Sequence, residues 1–205
     1  MIEILSTFGV GFFISFLGTI PPGTLNLTII QLGLDHRINI AWRMAIAAAL
    51  IEYPYAWLAI EFQEFVTRSP VIIHNFQLLT GVVMLFFGLV NLFASSKPSK
   101  LSQRLGASGF RKGVLLGLLN PLAVPFWIAM TAYSKSHGWI KLSTGWEVHA
   151  YLLGVSTGTV ALFMLLAYLA KMVVSHFQTN AILQKTPGII LILLGAYSLL
   201  EYIFG

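Results

Sequence analysis

The chain has 205 residues, of which 57% are hydrophobic and only 9% charged, with a mean hydropathy of +0.83. Soluble domains carry charge on about a quarter of their residues, so this composition excludes a soluble fold and specifies an integral membrane protein. The net charge of +5 comes from basic residues scattered between apolar runs. That pattern suits loops at a bilayer surface rather than nucleic acid, and the lack of cysteine removes thiol redox chemistry and thiolate metal sites.

A bilayer span needs about 20 mostly apolar residues. Six candidates follow one another: Ile4–Leu34, Ile40–Phe62, Val71–Ala94, Gly109–Tyr133, Glu147–Val174 and Ala181–Phe204. Only Glu3 precedes the first apolar run, with no basic region of the signal-peptide kind, so the segment is expected to be retained as a first helix. The longest connection is 95–108, rich in Ser, Lys, Pro and Gly as loops are. A single membrane domain over 1–205 is expected.

The first span carries its own contradiction. "SFLGTIPPGTLNLTIIQLGL" (Ser15–Leu34) is apolar at both flanks yet holds Pro21, Pro22 and Gly23 in its middle. Proline cannot donate to the helical ladder and displaces the carbonyl one turn earlier, so the helix is expected to break, with Thr24 a candidate cap. The fourth span repeats the device: Asn120-Pro121 reads as an N-cap followed by a first helical proline, and Pro125 is expected to disturb the same helix again. Backbone groups freed inside a bilayer survive only against protein or a water-filled cavity. Prolines also kink membrane helices for packing alone. Two breaks in corresponding spans favour a binding site, because helix N-termini present unpaired amides and partial positive charge to an anion.

The second span holds the one acid at depth, Glu52, in "AIAAALIEYPYAWLAIEF" (Ala45–Phe62). Ala45, Ala48, Ala49, Ala56 and Ala59 share its helical face with Tyr55, whereas Leu50, Trp57 and Ile60 point mostly elsewhere. Small residues permit close helix approach, so Glu52 is expected to face the bundle. An intramembrane ionisable group is by default a functional candidate. Glu52 is expected to carry a proton through a transport cycle or to pair with a substrate ammonium; the plainer alternative is a protonated acid bonded to a backbone carbonyl.

"TGVVMLFFGLVNLF" (Thr80–Phe93) in the third span aligns with "PGIILILLGAYSLL" (Pro187–Leu200) in the sixth, pairing Gly81 with Gly188 and Gly88 with Gly195. "GTIPPG" (Gly18–Gly23) aligns with "GLLNPL" (Gly117–Leu122), pairing Gly18 with Gly117 and Pro22 with Pro121. Three spans is an odd number, so the second half enters the membrane inverted. The expected fold is thus all-α, with six transmembrane helices in a 3+3 inverted-topology repeat: 1–94, a cytoplasmic loop 95–108, and 109–205. Such repeats mark secondary transporters.

Six spans put Arg68, Lys135 and Lys141 on one side, and Arg37, Arg43, Lys97, Lys100, Arg104, Arg111, Lys112, Lys171 and Lys185 on the other. The positive-inside rule makes the second side cytoplasmic and both termini external. Other residues have plainer readings. Gly154 and Gly158 suit close packing, with Thr157 beside them. Asn26 suits either substrate contact or a tie between helices, and Gln31 and Asn91 suit packing or the interface. Trp42, Trp127, Trp139 and Trp146 read mainly as interface anchors, with a cavity-lining role open to Trp127. The five histidines are dispersed, and none forms a metal pair at helical spacing.

"GTIPPGTLN" (Gly18–Asn26) and "GLLNPLAVPFW" (Gly117–Trp127) resemble the LysE/RhtB-type amino-acid exporters of the LysE superfamily, small six-span proteins of about this length. Members show Pro-Gly-Pro-Asp or Pro-Gly-Pro-Asn in span one and Asn-Pro-Lys-Ala in span four. Here Pro22 and Gly23 match, Thr24 replaces the second proline, and the amide arrives one residue later at Asn26. Asn120, Pro121 and Ala123 match the later motif, with Leu122 in place of lysine. The resemblance implies proton-driven export of an amino acid or similar small zwitterion or organic anion across the cytoplasmic membrane. Pro21, Pro22, Gly23, Thr24, Asn26, Asn120, Pro121 and Pro125 are the expected substrate-binding residues, and no cofactor is expected. A homodimer, an ion or metal transporter of the same superfamily, and a non-transporting membrane protein remain alternatives. An enzyme does not suit the sequence, which has no nucleophile–base pairing or HExxH helix.

Overall fold

The computed structural model describes residues 2–20, 23–67, 108–120, 123–172 and 181–204, with isolated helical positions between 75 and 92. Pro21, Pro22, Pro121, Leu122, Arg68, His74, Asn91, His176 and the connection 95–107 lie outside the described residues. Those described form helices and no strand: α1 (Ile2–Gly18), α2 (Thr24–Leu34), α3 (Ile38–Thr67), α4 (Gly109–Leu118), α5 (Ala123–Ser136), α6 (Gly145–Met172) and α7 (Ala181–Phe204). Ile38–Gln63 and Gly145–Met172 are each long and apolar enough to cross a membrane. The α4–α5 pair forms a further candidate span, bent by 68°. Large apolar side chains such as Phe13, Leu17, Leu50, Trp57, Leu153 and Leu165 are exposed, as befits a surface solvated by lipid.

Glycines let neighbouring backbones touch. On α6, a Cβ at Gly154 would collide with the carbonyl oxygen of Phe8, and one at Gly158 with that of Phe12; on α1, a Cβ at Gly11 would collide with that of Tyr151. The Phe8–Gly154 and Phe12–Gly158 contacts advance together along both helices, so α1 and α6 are parallel, and α2 continues the arrangement with Gly33 against Ala167. Gly109 and Gly113 bring α4 against Ile40 and Met44 of α3, again in parallel. Between the two sets, Trp42 meets Tyr168, Ala49 meets Ser156 and Tyr53 meets His149, so α3 and α6 are antiparallel. Gly81 of the third candidate span lies against Gly195 and Leu199 of α7, and Gly195 against Leu85, which is also an antiparallel approach.

Helix ends are locally determined. α2 stops in a Schellman turn: Arg37 N–H donates to Leu32 O at 2.8 Å and His36 N–H to Gly33 O at 3.0 Å, with His36 at φ 56°. α5 stops in the same way, Trp139 N–H reaching Ser134 O at 2.9 Å and Gly138 taking φ 68°, a left-handed position that suits glycine. α6 opens with a capping box: Thr144 Oγ1 accepts from Glu147 N–H at 3.3 Å, and Glu147 Oε2 accepts from Ser143 and Thr144 N–H at 2.8 and 3.0 Å.

Among the described residues two apolar clusters fill the bundle. One gathers Ile14, Ala56, Ala59, Ala123, Trp127, Ile128, Ile140, Tyr151, Leu152 and Val155 towards the end where Lys141 pairs with Glu3 at 2.9 Å. There the hydrogen bond and charge of Glu3 hold the Lys141 ammonium above its usual pKa. The other gathers Leu25, Ile29, Leu32, Ala41, Met44, Ala45, Ala48, Phe163, Met164 and Ala167 towards the Arg37 end.

Candidate functional site

Where the helices cross from one cluster to the other, buried and half-buried polar groups collect. On α3 the crossing falls between Ala48 and Ala56, and Glu52 sits in it. Ala45, Ala48, Ala49, Ala56 and Ala59 are all buried while Leu50 and Trp57 are exposed, so the helical face read from the sequence is the one turned inward. On α6 the crossing carries Ser156, whose Oγ donates to Ala49 O at 3.1 Å, and Thr159, whose Oγ1 lies 2.8 Å from Ser15 Oγ of α1.

Both broken helices part at this level. α1 ends at Gly18, and Thr19 and Ile20 complete a tightening turn onto Ser15 O and Leu17 O. The carbonyls left there are bridged by Asn26, whose Nδ2 donates to Thr19 O at 2.6 Å and to Ile20 O at 3.4 Å. Of the two roles open to Asn26, the structure displays the tie. α2 is capped by Gly23 in an extended conformation, with no side-chain cap bond. Thr24 is therefore the first residue of the helix and exposed, and the cap expected of it is not made.

The second break is held by α3. Tyr55 Oη donates to Leu118 O at 2.9 Å, taking up a carbonyl at the end of α4. Glu52 Oε2 accepts from Trp127 Nε1 at 2.6 Å, and the Asn120 side chain is a second hydrogen-bond partner of the same carboxyl. Glu52 and Tyr55, three residues apart on one helical face, thus grip opposite sides of one break. Asn120 O also accepts from Ala123 N–H at 3.4 Å. Pro125 sits half-buried in the first turn of α5. Its missing N–H has no intrahelical partner to lose there, so α5 continues undisturbed, contrary to the expectation for that residue.

Trp127 corrects the reading of the tryptophans. It is 2% exposed and lies edge-on to Phe126 and Tyr151, at ring separations of 4.9 and 6.4 Å, so it is no interface anchor. An indole beside a break and a lone acid lacking a donor were both visible in the sequence; only their meeting was not. Packing joins the two breaks, because a Cβ on Gly18 would run into the ring of Phe126. Gly154 and Gly158 serve packing as expected, and Thr157 is exposed, bonding back to Leu153 O. Among the described residues no three His, Asp or Glu side chains come together as a metal set.

The model of the LysE type translocator family matches residues 16–202, which takes in both breaks, Glu52 and Trp127. The chain belongs to the LysE type translocator family. No match was found among curated proteins or among solved structures. Membership in a translocator family points to a membrane transporter rather than an enzyme, and in this LysE type translocator the polar layer described above is where Glu52 meets the second break.

Proposed function

We propose that this translocator is a secondary transporter that exports an amino acid, or a similar small zwitterion or organic anion, across the cytoplasmic membrane in exchange for protons. The observation that carries the reading is Glu52 of α3 meeting the second helix break through Asn120 and Trp127, at the level where the first helix also parts. An acid in a bilayer is costly unless bonded, and here it is bonded to the segment whose bending would move substrate. In this reading the substrate carboxylate is received at the starts of α2 and α5, and the substrate-binding residues are those the sequence offers: Pro21, Pro22, Gly23, Thr24, Asn26, Asn120, Pro121 and Pro125. Glu52 receives its ammonium or a proton.

Six spans in a 3+3 inverted repeat, 1–94 and 109–205, belong to the same proposal. It is supported by the two broken helices, each followed by a segment that stops in a Schellman turn, and by their opposite passage between the clusters. The orientation is supported by charge. Among the described residues Arg37, Arg43, Arg111, Lys112 and Lys171 fall at one end, and Lys135 and Lys141, with Glu3, at the other. The basic end is then cytoplasmic and the termini external.

The test is counterflow of radiolabelled amino acids in metal-free proteoliposomes, with and without a proton gradient. Glu52→Gln keeps the size and the hydrogen-bonding capacity of the side chain but not its titration. It is expected to abolish the response to the gradient; undiminished, pH-responsive counterflow in that variant removes Glu52 from the mechanism.

A further inference from the structure

The indole N–H of Trp127 does to Glu52 what a substrate ammonium would do. It is a donor only, it approaches one carboxyl oxygen at 2.6 Å, and it does so from a fully packed position in the apolar cluster at the Lys141 end. An N–H donor that close to a carboxyl oxygen makes a short, direct hydrogen bond. Trp127 stands one helical turn beyond the start of α5, in the cluster on the Lys141 side of Glu52. Behind it, four and seven residues on and on the same helical face, come Thr131 and Ser134, both 0% exposed. Thr131 Oγ1 lies 3.5 Å from Tyr151 Oη, and Ser134 Oγ donates to Met130 O at 2.7 Å. Hydroxyls inside an apolar cluster cost free energy to bury, and this file of them runs from the back of the indole towards the Lys141 end.

We propose that Trp127 is a stand-in for the substrate ammonium and the outward gate: its N–H holds Glu52 while the site is empty, and an incoming zwitterion displaces it and opens the route along Thr131 and Ser134. The inference rests on the reading of Glu52 as the ammonium site. It assigns Trp127 a positioning role with an energetic signature, because a group that occupies the substrate's place weakens apparent binding. Removing its donor therefore tightens binding, whereas the loss of a merely structural contact loosens it.

Trp127→Phe keeps an aromatic ring and removes the N–H. In proteoliposome transport of each standard protein amino acid in turn, the expected result for a transported one is a KM lowered about tenfold, the order of a hydrogen bond to a charged group, with no rise in kcat. An unchanged or raised KM overturns the proposal. A second measurement keeps the native residue. Trp42, Trp57, Trp139 and Trp146 are replaced by Phe, leaving Trp127 as the sole fluorophore of the five. Its emission is expected to shift with saturating dependence on a transported amino acid, and Glu52→Gln is expected to abolish the shift. Transport with no change in Trp127 emission defeats the gate and leaves the transporter reading standing. Failure of the unaltered protein to move any amino acid defeats the substrate reading, and the gate with it.

Discussion

Asn26 offers the clearest energetic test of how the first break is sustained. It is 4% exposed, and its amide donates to Thr19 O at 2.6 Å and, less favourably, to Ile20 O at 3.4 Å. Asn26→Ala deletes both bonds and leaves at least the well-bonded carbonyl of the half-buried Thr19 without this donor. An orphaned buried acceptor costs roughly 1–3 kcal/mol, so about 2 kcal/mol is expected here, the weaker second bond adding little. For a chain of this size that lowers the melting temperature by roughly 4–8 °C, measurable by thermal unfolding in detergent micelles. Asn26→Asp is expected to be worse, because it sets an acceptor against two acceptors. Thr28→Ala serves as the control: Thr28 Oγ1 bonds Thr24 O at 2.7 Å, one turn back on its own helix. If Asn26→Ala melts with the control, the bridge does not sustain the break and the argument fails.

Two further outcomes follow from packing and capping. Gly154→Ala drives a methyl group into the carbonyl of Phe8 and is expected to destabilise by about 1–3 kcal/mol. Gly9→Ala, with nothing within 4 Å of the added atom, is expected to be neutral; equal melting of the two variants would contradict the α1–α6 contact. Glu147→Ala removes the acceptor of two N–H groups at the start of α6 and is expected to cost about 1 kcal/mol, read as a lower midpoint in the same unfolding assay. Glu147→Gln, which keeps an acceptor oxygen, is expected to recover part of it.

Much of this was legible in sequence for definite reasons. The alanines around Glu52 announce an inward face because helical periodicity and small volume point the same way, and Gly154 and Gly158 announce contact for the same reason. The helix ends at Gly18 and Leu118 fall where "GTIPPG" and "GLLNPL" place them. Three things were not read. Trp127 belongs to a residue type drawn to interfaces, and only the long-range meeting of α3 with α5 overrides that preference. Tyr55 capping Leu118 is likewise a contact between distant segments. The Thr144-x-x-Glu147 capping box is a local signal, present in the sequence at the start of the fifth candidate span. Thr24 shows the reverse case: a good capping residue stands one place too late, because Gly23 already occupies the extended position.

The glycine contacts also constrain how the protein can move. Where backbone rests on backbone there is no side chain to change rotamer, so α1 with α6, and α3 with α4, must travel as rigid pairs. Each pair takes one member from either half of the sequence, so displacement between the sequence halves would have to shear both pairs at once. Among the described residues no glycine sets backbone on backbone along the α3–α6 seam, which is joined through side chains such as Ser156 to Ala49, so a slide of one pair past the other would fall there.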